Sequence, residues 1–159
     1  MNELAQKVGE RLKAHRALLV TAESCTGGWV AQAVTAIAGS SDWFERGFVT
    51  YSNAAKEEML GVRHETIAKH GAVSEETAQE MARGALAHSH GTLALAITGI
   101  AGPAGGSAAK PVGTVCFAWA VKDGASRAET RRFSGDRDAV RRQSVEHALR
   151  VVLELLDAG

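Results

Sequence analysis

Two cysteines in 159 residues, Cys25 and Cys116, are too few for a disulfide framework. Net charge is also missing: 18 basic residues balance 18 acidic ones, which removes the electrostatic case for nucleic acid or an anionic membrane as a partner. No apolar stretch reaches the ~20 residues that a membrane-spanning helix needs. The opening segment MNELAQKVGERLKAH has no signal-peptide core, so a cytoplasmic protein is expected. Metal signatures are absent: there is no Cys/His cluster and no His-Glu-x-x-His spacing. Neither the G-x-G-x-x-G dinucleotide fingerprint nor the G-x-x-x-x-G-K-[ST] phosphate loop occurs. No metal and no cofactor are expected.

What is present is ordinary for a globular chain, with 45% hydrophobic and 23% charged residues. The length suits one domain, residues 1–159, with a proper core. Leu4, Val8 and Leu12 recur at helical spacing, which predicts a helix over 2–14. Residues 17–22 form a short apolar strand, and a helix opening at Gly27 runs to about Ile37. Residues 44–52 hold the β-formers Phe48, Val49, Thr50 and Tyr51, and 53–62 read as a short helix ended by Gly61. Ser74 is a good N-cap, with Glu75 and Glu76 in the first turn of a helix reaching about His88. The run TLALAITGI, 92–100, has the continuous apolar character of a central buried strand. Two further strands meet at Asp123-Gly124, a hairpin signal, and a final helix carries Val145, Ala148, Leu149, Val152 and Leu156 on one stripe. Interleaved helices and strands predict an α/β fold, a three-layer α/β/α sandwich with a mixed, mostly parallel sheet of about five strands.

Ligands bind open α/β sheets at the C-terminal ends of strands. Three polar, glycine-containing segments fall there: 23–28, 98–107 and 134–137. In the first, TAESCTGG, both Ser24 and Cys25 are possible nucleophiles, and Ser24 or Thr26 would equally serve as a helix cap. Nearby backbone N–H groups would stabilise an oxyanion, each donor contributing roughly 3 kcal/mol. A serine nucleophile needs a base, and the six histidines lie in polar or helix-end contexts. Lysine is the other option, and Lys56 in YSNAAK follows the second strand. If partly desolvated, its amine loses its proton more readily. Tyr51 would add a hydroxyl or serve as a core aromatic. Thr98, Gly99, Gly102, Gly105 and Gly106 belong to a loop whose glycines imply tight turns or close approach to a ligand. Arg137 opens the last helix, where a cation opposes the helix dipole and is better explained by a bound anion such as phosphate. Arg141 lies one turn later on the same face.

Five segments, TAESCTGGWVA, AGSSDWFERGFVTYSNAAKEEMLGV, GAVSEETAQEMARGAL, ITGIAGPAGGSAAKPVGTV and FSGDRDAVRRQ, occur in this order. Together they resemble the stand-alone CinA C-terminal domain family, whose enzymes are nicotinamide-nucleotide amidases. The resemblance implies hydrolysis of the carboxamide of nicotinamide mononucleotide to nicotinate mononucleotide and ammonia, in pyridine-nucleotide recycling, by a serine amidohydrolase without a metal. The family's serine falls on Ser24, its lysine on Lys56 and its tyrosine on Tyr51. Glu23, Cys25, Thr26, Gly27 and the glycine loop are expected beside the substrate. N–H groups of Cys25 to Gly27 would hold the oxyanion, protonated Lys56 would protonate ammonia directly or through Tyr51, and Arg137, Arg141 or the glycine loop would hold the phosphate. A homodimer is expected, since symmetric pairs are the commonest oligomers. The competing expectations are an amidase or a metal-dependent pyrophosphatase on a related nucleotide, and a non-catalytic nucleotide-binding or regulatory module.

Overall fold

The computed structural model describes residues 1–158. Its strands are β1 (Leu19–Glu23), β2 (Phe44–Val49), β3 (Leu93–Gly99), β4 (Thr114–Val121) and β5 (Ser126–Arg132). The helices are α1 (Asn2–Ala14), α2 (Trp29–Thr35), α3 (Asn53–Leu60), α4 (His64–His70), α5 (Glu75–Ala87) and α6 (Arg137–Ala158). The sheet order is β2-β1-β3-β4-β5. β1 runs parallel to β2 and to β3, while β4 is antiparallel to both β3 and β5. Four strands therefore share one direction and only β4 opposes it, so the sheet is mixed and mostly parallel.

The apolar run of β3 hides an alternation of size. Leu93, Leu95 and Ile97 join the core under α1, α2 and α6, whereas Ala94 and Ala96 face α5, as successive side chains of a strand must. β4 repeats the pattern, with Val115, Phe117 and Trp119 on the first face and Cys116, Ala118 and Ala120 on the second. Small residues on the second face let α5 lie close to the sheet. α5 also touches α3 closely, since a Cβ at Gly84 would stand 1.9 Å from the Leu60 carbonyl oxygen. Helices thus cover both faces, giving the three layers.

The helix and strand positions agree with the sequence reading to within a few residues, and the Asp123-Gly124 turn closes the β4–β5 hairpin. Helix α4 was not expected. It has no side-chain cap and is tied instead to α5, where the Glu80 carboxylate accepts from the Arg63 N–H at 2.9 Å and from Thr66 Oγ1 at 2.5 Å. His147 departs from its expected solvated setting: its ring packs edge-on against Phe117 at 4.9 Å and bonds to Glu129. Among the described residues no helix is long and apolar enough to cross a membrane.

Register brings three strand ends to one level. Glu23 pairs with Val49 on one side and Ile97 on the other. The next residues, Ser24 and Thr50, therefore leave the sheet side by side, with Ser24 beside Thr98, the penultimate residue of β3. The ladder continues one step past the strands, with the Ser24 N–H on Ile97 O at 2.9 Å and the Thr50 N–H on Glu23 O at 2.8 Å.

Candidate active site

At that edge the first turn of α3 swings Lys56 back over the end of β1. Ser52 caps α3 by accepting from the Ala55 N–H, which fixes the helix start and hence the lysine. Lys56 is only 2% exposed. Its Nζ lies 3.0 Å from Ser24 Oγ, 3.1 Å from Thr50 O and 3.3 Å from Tyr51 O. Burial holds the Lys56 ammonium below the ordinary lysine range. None of its hydrogen-bonding partners is a carboxylate. As an ammonium Lys56 donates to Ser24 Oγ, whose own hydroxyl lies 3.4 Å from Tyr51 O; as a neutral amine it keeps two N–H bonds to the carbonyls and has its lone pair for the Ser24 hydroxyl. That is the arrangement a general base needs.

Cys25 is a poor competitor. It is buried, and burial pushes its thiol up to about 12, so the thiolate that would attack is scarce at neutral pH.

Glu23 and Thr26 do not face the cavity. The Glu23 carboxylate, 1% exposed, accepts from Thr26 Oγ1, from the Val30 N–H and from the Ala31 N–H. It therefore caps α2 from the end of β1 and occupies the N–H groups of Val30 and Ala31, leaving those of the preceding turn to other partners. The Gly27 N–H donates to Ser24 O at 3.0 Å. Among the described residues, the N–H groups of Cys25 and Thr26 donate to no protein acceptor.

Tyr51 sits differently from either sequence expectation. It is 62% exposed, so it is no core aromatic. Its carbonyl, not its phenol, meets Lys56. The phenol oxygen accepts from Arg137 Nη2 at 3.1 Å, and Arg137 Nη1 donates to Gly102 O at 2.8 Å. Arg137 is the first residue of α6, whose cap is Asp136, accepting from the Ala139 N–H. Arg141 binds the carbonyls of Cys25 and Thr26 at 3.0 and 3.2 Å.

A cavity of about 240 Å³ opens beside the pair, with Ser24, Cys25, Tyr51, Lys56, Thr98, Gly99 and Arg137 on its wall. Ala101, from the 98–107 segment, is also on the wall, and Asn53, Ala72 and Val73, which were not anticipated, complete it. Asn53 carried a local signal, since it lies inside the YSN-x-x-K segment. Ala72 and Val73 carried none: the Thr98 hydroxyl holds Ala72 O at 2.9 Å, a contact across 26 residues. Gly102, Gly105 and Gly106 lie off the cavity, and their positive φ angles serve the turns of the loop itself. A wider groove of about 460 Å³ over β4 and β5 shares Val73. Its cations are already bonded within the protein, Lys110 to His70 O and Arg132 to Ala109 O. Among the described residues no three His, Cys, Asp or Glu side chains gather as metal ligands.

The CinA C-terminal domain model matches residues 1–156. This chain belongs to that family. It is 59% identical over 150 residues to the nicotinamide-nucleotide amidohydrolase PncC of Escherichia coli strain K12, covering 94% of this chain and 91% of that protein. The Pseudomonas putida protein of the same name is 53% identical, with 96% and 94% covered. Two solved structures share the fold. The CinA superfamily protein of Klebsiella pneumoniae superposes with a TM-score of 0.96 at 43% identity, covering 99% of this chain and 98% of that one. The competence/damage inducible protein CihA of Agrobacterium tumefaciens superposes with a TM-score of 0.94 at 46% identity, covering 98% and 94%.

Proposed function

We propose that this protein hydrolyses the carboxamide of nicotinamide mononucleotide to nicotinate mononucleotide and ammonia, with Ser24 as nucleophile and Lys56 as its base. The observation that carries the chemistry is the 3.0 Å approach of a buried lysine amine to a serine hydroxyl at the wall of a cavity. The choice of substrate is supported by the similarity to enzymes named nicotinamide-nucleotide amidohydrolase.

Ser24 Oγ attacks the carboxamide carbon while Lys56 Nζ takes its proton. The carbonyl oxygen becomes an oxyanion, and the Cys25 N–H is the adjacent free donor. Lys56 then returns the proton to the departing nitrogen as the C–N bond breaks, releasing ammonia and leaving an ester on Ser24. Water attacks the ester, gives a proton to Lys56, and the ester C–O bond breaks. Lys56 reprotonates Ser24 and nicotinate leaves. This route assigns no proton transfer to the Tyr51 phenol, because Lys56 meets the Tyr51 carbonyl and not the phenol. The Tyr51 carbonyl orients the amine.

Drug-sized sites enclose about 300–1,000 Å³, and this cavity is smaller, about 240 Å³. It suits the pyridine carboxamide, with the ribose phosphate at the mouth. Arg137 stands there and exchanges its tyrosine partner for phosphate oxygens, a stronger bond for a guanidinium. Thr98 and Gly99 line the ring's side of the cavity.

Ammonia release from nicotinamide mononucleotide by Ser24→Ala, Cys25→Ala and Lys56→Ala tests the assignment. Ser24→Ala and Lys56→Ala lose turnover and Cys25→Ala retains it. Near wild-type kcat in Ser24→Ala, or loss in Cys25→Ala alone, overturns it.

A further inference from the structure

We infer that Arg141 is a positioning residue that holds the oxyanion donor in place, and not a ligand for substrate phosphate. The inference rests on Ser24 being the nucleophile.

Two of the donors that Arg141 would offer an anion are engaged elsewhere. Nε donates to Cys25 O at 3.0 Å and Nη2 to Thr26 O at 3.2 Å. The guanidinium also lies 5.4 Å from the centre of the Trp29 ring, a cation–π distance. Arg141 is not among the residues of the cavity wall.

The two carbonyls it holds belong to the second and third peptides after Ser24, those that carry the Thr26 and Gly27 N–H groups. In a trans peptide the C=O and N–H point in opposite directions, so a bond on the carbonyl aims the amide. Ser24 O is held by the Gly27 N–H, Cys25 O by Arg141, and Thr26 O by both Arg141 and the Trp29 N–H. Arg141 therefore acts on the Cys25 N–H at one remove: it holds Thr26 O, the peptide of the Gly27 N–H, and that N–H holds Ser24 O, the peptide of the Cys25 N–H. The Cys25 and Thr26 N–H groups are left without a protein acceptor among the described residues. Thr26 is 0% exposed, whereas Cys25 shares the cavity wall with Ser24, so the Cys25 N–H is the donor that a substrate oxygen can reach.

The turn needs this clamp because it ends in two glycines, Gly27 at φ +59° and Gly28 at φ +101°. Glycine permits those angles and many others. Arg141, reaching in from α6 across 116 residues, removes the freedom that the glycines leave.

The test compares wild type, Arg141→Ala and Arg141→Lys on two substrates. One is nicotinamide mononucleotide. The other is p-nitrophenyl acetate, which has no phosphate, measured above the Ser24→Ala background. Displacing a catalytic group by ~1 Å costs on the order of 10²-fold in rate, so Arg141→Ala loses about 10²-fold in kcat for the nucleotide. KM stays unchanged, and the rate of Ser24 acylation by the ester falls by a similar factor. Arg141→Lys, reaching one carbonyl instead of two, falls between, and added guanidinium ion restores part of the activity of Arg141→Ala. A rise in KM for the nucleotide with the ester rate untouched would make Arg141 a phosphate ligand and overturn the inference. If Arg141→Ala does not fold, the same comparison is decided by Arg141→Lys. If wild type is acylated by the ester but releases no ammonia from the nucleotide, the substrate assignment fails while the ester series still judges Arg141. If wild type reacts with neither, the Ser24 assignment falls and this inference falls with it.

Discussion

Replacing Glu23 with glutamine tests the local construction of the site. Its carboxylate accepts three hydrogen bonds, from Thr26 Oγ1 at 2.7 Å, the Val30 N–H at 2.9 Å and the Ala31 N–H at 3.1 Å. Glutamine keeps the length but offers one oxygen and one NH₂. The least harmful rotamer keeps the oxygen on Thr26 and Val30 and sets the NH₂ against the Ala31 N–H, donor facing donor. The lost bond to a charged acceptor is worth about 1.5–3 kcal/mol. The two that remain fall to neutral strength, roughly half. Glu23→Gln therefore destabilises by on the order of 3 kcal/mol. At about 2–4 °C per kcal/mol for a chain of this size, Tm falls by roughly 6–12 °C. The same carboxylate anchors α2 behind the Ser24 turn, so kcat falls as well. Thermal unfolding followed by circular dichroism, with ammonia release on the same samples, measures both. An unchanged Tm and an unchanged kcat would show that this carboxylate does not hold the start of α2.

Three further predictions concern pH. Burial lowers the Lys56 pKa below the usual 10.5, and the base must be neutral, so kcat/KM rises with pH and levels off below pH 10.5. Between its own lysine pKa and 10.5 the folded protein binds fewer protons than the unfolded chain, so stability rises with pH across that window. Lys56→Met lacks this rise, which denaturant titrations at several pH values detect. Burial pushes the Glu129 carboxyl up, but hydrogen bonds from His147 and Arg127, with their charges, outweigh it and hold the group below its usual 4.5. Its contribution is present above pH 4.5 and is lost as pH falls through the folded value. Glu129→Gln is therefore less stable than wild type by about 2 kcal/mol at neutral pH, and the gap closes in acid.

Much of the fold is legible in the chain because its elements announce themselves locally. Ser74 marks the start of α5, Gly61 the end of α3, and Asp123-Gly124 the hairpin. Helix α4 is silent for the converse reason: its support is Glu80 on α5, a tertiary contact. The site divides in the same way. Ser24 and Lys56 stand out as a strand-exit hydroxyl and amine, but only the pairing of Glu23 with Val49 and Ile97 brings the two exits to one level. Residue type alone misplaces side chains whose partners are remote. Glu23 reads as a substrate contact and caps a helix, and Tyr51 reads as a proton relay yet meets Lys56 through its carbonyl. Arg141 reads as a phosphate ligand and binds the carbonyls of Cys25 and Thr26. Each outcome depends on carbonyl or amide groups that no motif displays.

In the proposed mechanism the Ser24 hydroxyl, with its proton drawn off by Lys56, forms a covalent ester during turnover. Rapid acid quenching of the enzyme with nicotinamide mononucleotide, followed by peptide mass spectrometry, tests it most directly. A nicotinate-nucleotide ester is expected on the peptide containing Ser24, located on Ser24 by fragmentation and absent from Ser24→Ala and Lys56→Ala. Sustained ammonia release with the adduct on Cys25, or undiminished turnover in Ser24→Ala, would contradict it.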